Sequence, residues 1–308
     1  MKIMVRAVAI TLAASCLLFG SVAIHAQRQT QSGDSRPVAK RTDIYCTGFI
    51  SELPPRADLE LVGAEKENIK SVFSQGDIVY LNQGRQSGLY PGAVYYVVRP
   101  IGKFHHPFKN KLLGYYVREL GMVRVLEVHD HTSTAEVTVS CDMMTFGDLL
   151  KPFETVPAPP APNSGPLPRY GEGTGGTTGQ IVLSPLFHEW LGANQIVYLD
   201  LGNRQGIRPG DQFTIFRSIN RREGVVHYRD DDLAIKRTTG YESDRYEGGE
   251  LPFEPTVQIP DVVGRRPTLP RKVLGELVVL KVENNACVAI ITRSVAEINI
   301  GDWVERAN

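Results

Sequence analysis

The stretch Ile78 to Arg99 reads IVYLNQGRQSGLYPGAVYYVVR, and Ile196 to Arg217 reads IVYLDLGNRQGIRPGDQFTIFR. Nine of the 22 positions coincide without a gap: Ile78/Ile196, Val79/Val197, Tyr80/Tyr198, Leu81/Leu199, Gly84/Gly202, Gly88/Gly206, Pro91/Pro209, Gly92/Gly210 and Arg99/Arg217. An internal match of this kind points to one structural unit used twice, so the fold has to be buildable from each half. The apolar ends of the motif are rich in Val, Ile, Tyr and Phe, as strands are, and the glycines and proline fall between them. Gly84, Gly88, Pro91 and Gly92 in the first copy, and Gly202, Gly206, Pro209 and Gly210 in the second, therefore read as structural turns. Glycine accepts the positive φ that tight turns need, and Pro-Gly supplies a fixed φ followed by a permissive residue.

A second shared block follows. Leu120 to Val128 (LGMVRVLEV) aligns with Leu274 to Val282 (LGELVVLKV), each a glycine-led strand. Each is succeeded by a polar turn, another β run (Ala135 to Ser140, Ala286 to Thr292) and a Gly-Asp turn at Gly147-Asp148 or Gly301-Asp302. Thr47-Gly48 with Ile50, and Thr178-Gly179 with Ile181, mark a matching first strand. About five short strands per copy predict an all-β chain of two small β-barrel or sandwich modules, joined by a Pro/Gly-rich linker and with little helix. Short helices are expected only at Gly63 to Phe73 and at Pro185 to Leu191, the latter with Ser184 as its N-cap.

The remaining boundaries come from composition. Residues 1–26 carry Lys2 and Arg6 ahead of a nearly continuous apolar run and end in Ile24-His25-Ala26, the pattern of a signal peptide cleaved after Ala26. Cys16 raises a lipoprotein alternative, against which Leu17 to Ala23 would be left as apolar mature sequence. Residues 27–41 are polar and expected to be disordered. The first module takes 42–153. Residues 154–179, with PAPPAPNSGPLP and then GEGTGGTTG, read as a flexible linker that leaves the modules free to reorient. The second module takes 180–308 and carries a long insert at 219–272, with a hairpin expected around Val225 to Ile235.

Loss of the leader leaves 32 basic against 34 acidic residues, and the basic pairs are scattered, which argues against a nucleic-acid partner. Export into an oxidising compartment makes Cys46 and Cys141 a possible disulfide, since they lie near the two ends of the first module; the alternative is two buried thiols. Closing so long a loop would contribute roughly 4 to 5 kcal/mol in the chain-entropy picture. Cys287 would then be unpaired, a small core residue.

Candidate chemistry is sparse. His129-Asp130-His131 sets two imidazoles around a carboxylate, but it falls where the repeat predicts a tight turn and no third or fourth zinc ligand accompanies it. His105-His106 reads as loop. Asp230-Asp231-Asp232 lacks the spaced oxygens and glycine of a calcium loop. Gly171 to Gly179 has the glycine content of a phosphate cradle without GxxxxGK[ST] or a strand leading into it. GxSxG, HExxH and SxxK are absent. Tyr95, Tyr96, Phe213 and Phe216 read as alternating core and surface positions, and Trp190 and Trp303 as packing residues. No catalytic, cofactor-binding or metal residues are assigned.

The glycine-spaced motifs, VYLN-GRQSGLYPG and VYLDLGNRQGIRPG, each followed by an apolar strand, an Arg and a later LG-led strand, resemble the carboxy-terminal domain of flagellar assembly protein T. The resemblance covers most of Ile78 to Phe153 and Ile196 to Glu305, apart from the insert. The G, GI and PGD pattern is also similar to the β domains of rod shape-determining protein C. What the resemblance implies is a β domain of a periplasmic, envelope-associated protein, with no catalytic residues. The expectation is an exported, non-catalytic scaffold or adaptor of the cell envelope. It would be periplasmic or secreted, without a membrane span in the mature chain and without a cofactor, binding envelope proteins through its duplicated modules. The alternative is a protein that binds peptidoglycan or polysaccharide through exposed Tyr and Trp.

Overall fold

The computed structural model describes residues 37–55, 58–162, 165–185, 188, 190–218 and 270–307. The expected signal peptide, the hairpin at Val225 to Ile235 and Asp230-Asp231-Asp232 lie outside the described residues, as does the insert up to residue 269. The chain is all-β: sixteen strands, two short 3-10 turns and one five-residue helix, α1 (Arg41–Tyr45), among the described residues. No described helix is long and apolar enough to cross a membrane.

The first module contains β1 (Phe49–Ser51), β2 (Leu61–Ala64), β3 (Ile78–Leu81), β4 (Val94–His105), β5 (Leu112–Val128), β6 (Ser133–Ser140) and β7 (Leu149–Pro152), all paired antiparallel in the order β2-β3-β6-β5-β4-β7. The bridge between Glu60 and Leu149 brings the two ends of that order together. The second contains β8 (Tyr170–Gly171), β9 (Thr178–Leu183), β10 (Trp190–Leu191), β11 (Ile196–Leu199), β12 (Gln212–Arg217), β13 (Arg271–Val282), β14 (Cys287–Ser294), β15 (Ile298–Asn299) and β16 (Trp303–Arg306). Here β9-β11-β14-β13-β12-β16 closes on itself as a six-stranded barrel. Strand for strand, this is the order of the first module. Each ring encloses its own apolar cluster, built on Leu61, Phe73, Val79, Leu81, Val123 and Met144 in one and on Ile181, Val197, Leu199, Phe213, Leu277 and Ile298 in the other.

The turn glycines sit where the sequence puts the turns. Gly88 and Gly92 in the first module, and Gly206 and Gly210 in the second, have φ between 74° and 91°, a region costly for any residue with a Cβ. Gly84 and Gly202 answer a different need: an added Cβ would meet the carbonyl oxygen of His129 at 2.3 Å or of Glu283 at 2.4 Å. Those carbonyls accept the amides of Arg85 and Asn203, so each 3-10 turn is stitched to the hairpin between the two following long strands.

Four expectations are corrected. The counterpart of the strand around Ile181 is Leu61, since both exchange hydrogen bonds with the equivalent Gly-Asp turn (Leu61 with Gly147 and Asp148, Ile181 with Gly301 and Asp302). Phe49–Ser51 instead pairs with β5 as an added strand. Gly63 to Phe73 holds no helix, because Leu61–Ala64 joins the sheet and a turn follows. Residues 37–41 are ordered, Val38 donating to the Pro159 carbonyl at 2.9 Å. The Pro/Gly stretch is held down along much of its described length: Val156 and Ala158 pack between the modules, Tyr170-Gly171 pairs with β13, and Thr174 and Gly175 donate their amides to the Glu305 carboxylate, both at 3.1 Å. Low intrinsic structure did not prevent docking, since the backbone donors and acceptors of this stretch found partners on both modules.

Candidate functional site

Each module carries one polar clasp at the same place. Arg99, ending the regular part of β4, reaches Asp148 through Nε (2.7 Å) and Nη2 (2.8 Å), and Arg217 at the end of β12 reaches Asp302 through the same two atoms, both at 2.7 Å. The planar fork suits a carboxylate and gives two parallel charge-assisted bonds. The second carboxylate oxygen also accepts a backbone amide three residues earlier, from Thr145 or Asn299. These bonds raise the pKa of both arginines, while burial pushes the Asp302 carboxyl up against the pull of Arg217. Around it the barrel ends expose apolar side chains: Val72, Met143 and Phe146 in the first module, Trp190 (73% exposed) and Val295 in the second. Trp190 is thus not a packing residue, whereas Trp303 is partly buried with Lys109 Nζ 5.9 Å from its ring centroid.

A second gathering of buried ionisable groups among the described residues lies in the seam between the modules. The hairpin of β4 and β5 runs past the first barrel as an arm, pairing out to His105 and Leu112. Its sides, with α1 and β1, cover the outer face of β11, β14 and β13. Two shared clusters result. One joins Ile44, Tyr45, Phe49, Tyr96, Val98, Val117 and Met122 to Val278, Leu280 and Ile290; the other joins Ile50, Leu113 and Tyr116 to Val182, Leu183, Tyr198, Ala286 and Val288. Each large aliphatic or aromatic side chain removed from water here contributes roughly 1.5 to 3 kcal/mol to docking.

Polar contacts cross the seam at several points: Arg204 and Asn284 reach Glu52, Asn285 donates to the Leu113 carbonyl at 3.2 Å, and three further sites involve buried groups. Tyr198, fully buried and perpendicular to Tyr116 at 5.8 Å, donates its hydroxyl to the Thr47 carbonyl. Burial drives its phenol pKa well up, so it stays a donor. Lys281 Nζ lies 2.8 Å from Glu119 Oε2, and that oxygen also accepts the Gly48 amide at 3.0 Å. Burial pulls the Lys281 pKa down against the attraction of Glu119. At the tip of the arm, His106 Nε2 is 3.1 Å from Asp200 Oδ2, which also takes Lys109 Nζ at 2.8 Å. The Phe108 amide donates to His106 Nδ1 at 3.1 Å, which places the imidazole proton on Nε2, facing the carboxylate. Asp200 Oδ1 is itself held by the Gln180 amide at 2.6 Å. His106, 2% exposed, is therefore no loop residue but a buried contact, and burial lowers its pKa below the ordinary 6.5.

Chemically, these groups are engaged with one another: the imidazole, the ammonium and the carboxylates each have their hydrogen-bonding capacity directed to a named protein partner. Among the described residues, none of the seam's charged pairs includes a serine, threonine or cysteine for activation, and no group of three or more potential metal ligands comes together. His129-Asp130-His131 is the exposed turn between β5 and β6, with Asp130 3.4 Å from Arg85. The glycine-rich stretch does direct backbone amides at an anion, but the anion is the chain's own Glu305. Cys46 and Cys141 are joined as a disulfide with Cα atoms 5.5 Å apart, and Cys287 is a buried free thiol whose pKa burial raises. Beside the seam an open groove of about 750 Å³ is lined by Pro37, Lys40, Asp43, Asn194, Thr292 and Arg293 among others, charges of both signs.

Sequence reasoning missed the clasp and the seam. Both partners of each clasp were visible, Arg99 and Arg217 as matched positions and the aspartates in matched Gly-Asp turns, but nothing local joined them. No family model matches the chain, and no curated protein matches it.

Proposed function

We propose that the chain is an exported, non-catalytic scaffold of the cell envelope, in which two copies of one barrel act as paired docking heads for protein partners. The observation that carries this reading is the pairing of two barrels of the same strand order through a buried seam, with apolar side chains left exposed beside the clasp of each. A body of that kind holds two binding ends at a set separation, so that engaging one raises the effective concentration at the other. The disulfide between Cys46 and Cys141 supports export, because such bonds persist in oxidising compartments. The resemblance of both copies to the carboxy-terminal domain of flagellar assembly protein T supports an envelope setting.

Capture from envelope extracts tests this reading. Wild-type protein is expected to retain one or more envelope proteins that are lost when Phe146 and Trp190 are both changed to Ser; equal recovery with the double variant would contradict it. One observation favours a second reading. Trp190 stands exposed on a two-residue strand, a geometry suited to stacking on a sugar ring. Sedimentation with purified cell wall separates the two: transfer of the protein to the pellet, abolished by Trp190→Ala, supports glycan binding.

A further inference from the structure

The tripeptide Cys46-Thr47-Gly48 is where three ties meet. Cys46 is bonded to Cys141, just past the end of β6 in the first module. The Thr47 carbonyl receives the Tyr198 hydroxyl of the second module. The Gly48 amide donates to Glu119, which holds Lys281 across the seam. On either side, Ile44 and Tyr45 of α1 and Phe49 and Ile50 of β1 fill the two shared apolar clusters. A Cβ at Gly48 would meet the Val117 carbonyl at 2.5 Å, so this peptide lies hard against the first module. The cores of the barrels contain none of these residues.

From this convergence we infer that the Cys46–Cys141 disulfide is a redox lock on the seam: it fixes the peptide that bridges the modules, and its reduction releases their orientation while leaving both barrels folded. The lock operates whatever the barrels bind. The cysteines are both partly exposed, so a dithiol can reach them. One thiolate of the dithiol attacks a sulfur of the bridge, forming a mixed disulfide. Its second thiol then displaces that sulfur, leaving Cys46 and Cys141 as two thiols and the dithiol as a disulfide, a two-electron, two-proton exchange. With the bridge cut, the segment from Pro37 to Ser51 loses its one covalent cross-link and keeps the three-residue pairing of β1, the Gly48–Glu119, Val38–Pro159 and Tyr45–Val156 hydrogen bonds, and packing. Cys287 supplies an internal control, because it is buried in the core of the second barrel and reacts only if that barrel opens.

The test compares the purified protein before and after treatment with dithiothreitol, following amide hydrogen exchange at Gly48 to Ser51, the radius of gyration in solution, and alkylation of each cysteine. The expected result is alkylation of Cys46 and Cys141 but not Cys287, loss of protection at Gly48 to Ser51 by about tenfold or more, and a larger radius of gyration. The Cys46→Ser, Cys141→Ser double variant should reproduce these changes without reductant. Unchanged exchange and radius in the reduced protein would overturn the lock, because the seam would then hold without it. Alkylation of Cys287 on reduction would overturn it too, because the disulfide would then be sustaining the barrel and not the orientation.

Discussion

The outer faces of the two barrels are built on the same strands and put to different uses. In the first module the outward positions of β3, β6 and β5 are Tyr80, Thr134, Glu136 and Arg124, none of them buried. In the second, the corresponding positions of β11, β14 and β13 are Tyr198, Val288, Ile290 and Val278, all buried beneath the arm and N-terminal strand of the first. Tyr80 is 39% exposed and Tyr198 is 0%. The inner faces, by contrast, are apolar in both. A strand with one wet face alternates, and one covered on both faces becomes a continuous apolar run. The difference between STAEVTVS and CVAIITRS is therefore the difference between a free face and a docked one.

Substitutions at corresponding positions break or sharpen this contrast. Glu119→Ala leaves Lys281 buried without its partner and should cost about 3 to 5 kcal/mol in denaturant unfolding. Glu127→Ala, at the free-face position matching Lys281, should stay within about 0.5 kcal/mol. Ile290→Glu, which gives the second barrel the residue found at Glu136, should cost about 2 to 4 kcal/mol or open the seam, read out as a larger radius of gyration. The reverse change, Glu136→Ile, should move stability by less than about 1 kcal/mol.

The clasps should behave alike in both modules. Asp148→Asn and Asp302→Asn each break a bidentate pair on a largely buried carboxylate, and each should cost about 1 to 3 kcal/mol by the same denaturation measurement. A large difference between them would show that the barrels are not equivalent at that end. Tyr198→Phe should cost about 1 kcal/mol and Tyr80→Phe almost nothing, since only the first removes a buried cross-seam hydrogen bond.

The smallest effect concerns pH. His106 has a folded pKa below the ordinary 6.5, so the unfolded chain takes up its proton at a higher pH than the folded one. Stability from this residue is complete above about 6.5 and falls as pH drops from there toward the folded pKa. His106→Gln should flatten that part of the stability profile between wild type and variant.

Much of the fold was legible because its signals are local. Gly88, Gly92, Gly206 and Gly210 are where positive φ is needed, and apolar runs on either side of them are strands. The clasp was not legible as a pair, because Arg99 and Asp148 are 49 residues apart and Arg217 and Asp302 are 85 apart, beyond the reach of any local pattern. The seam had a signal that went unread: Val278, Leu280, Val288 and Ile290 are too many apolar residues for a strand pair with a solvated face. The proline- and glycine-rich linker misled for the converse reason. Composition reports whether a segment can build its own core, and says nothing about whether neighbouring surfaces will hold it.

The docked face is tested most directly by a distance distribution between spin labels placed at Leu126 and Val295, exposed positions on the first and second barrels. A seam held by Tyr198, Lys281 and the two shared apolar clusters predicts one narrow peak in the oxidised protein. A broad distribution, as from two barrels swinging on a tether, would contradict it.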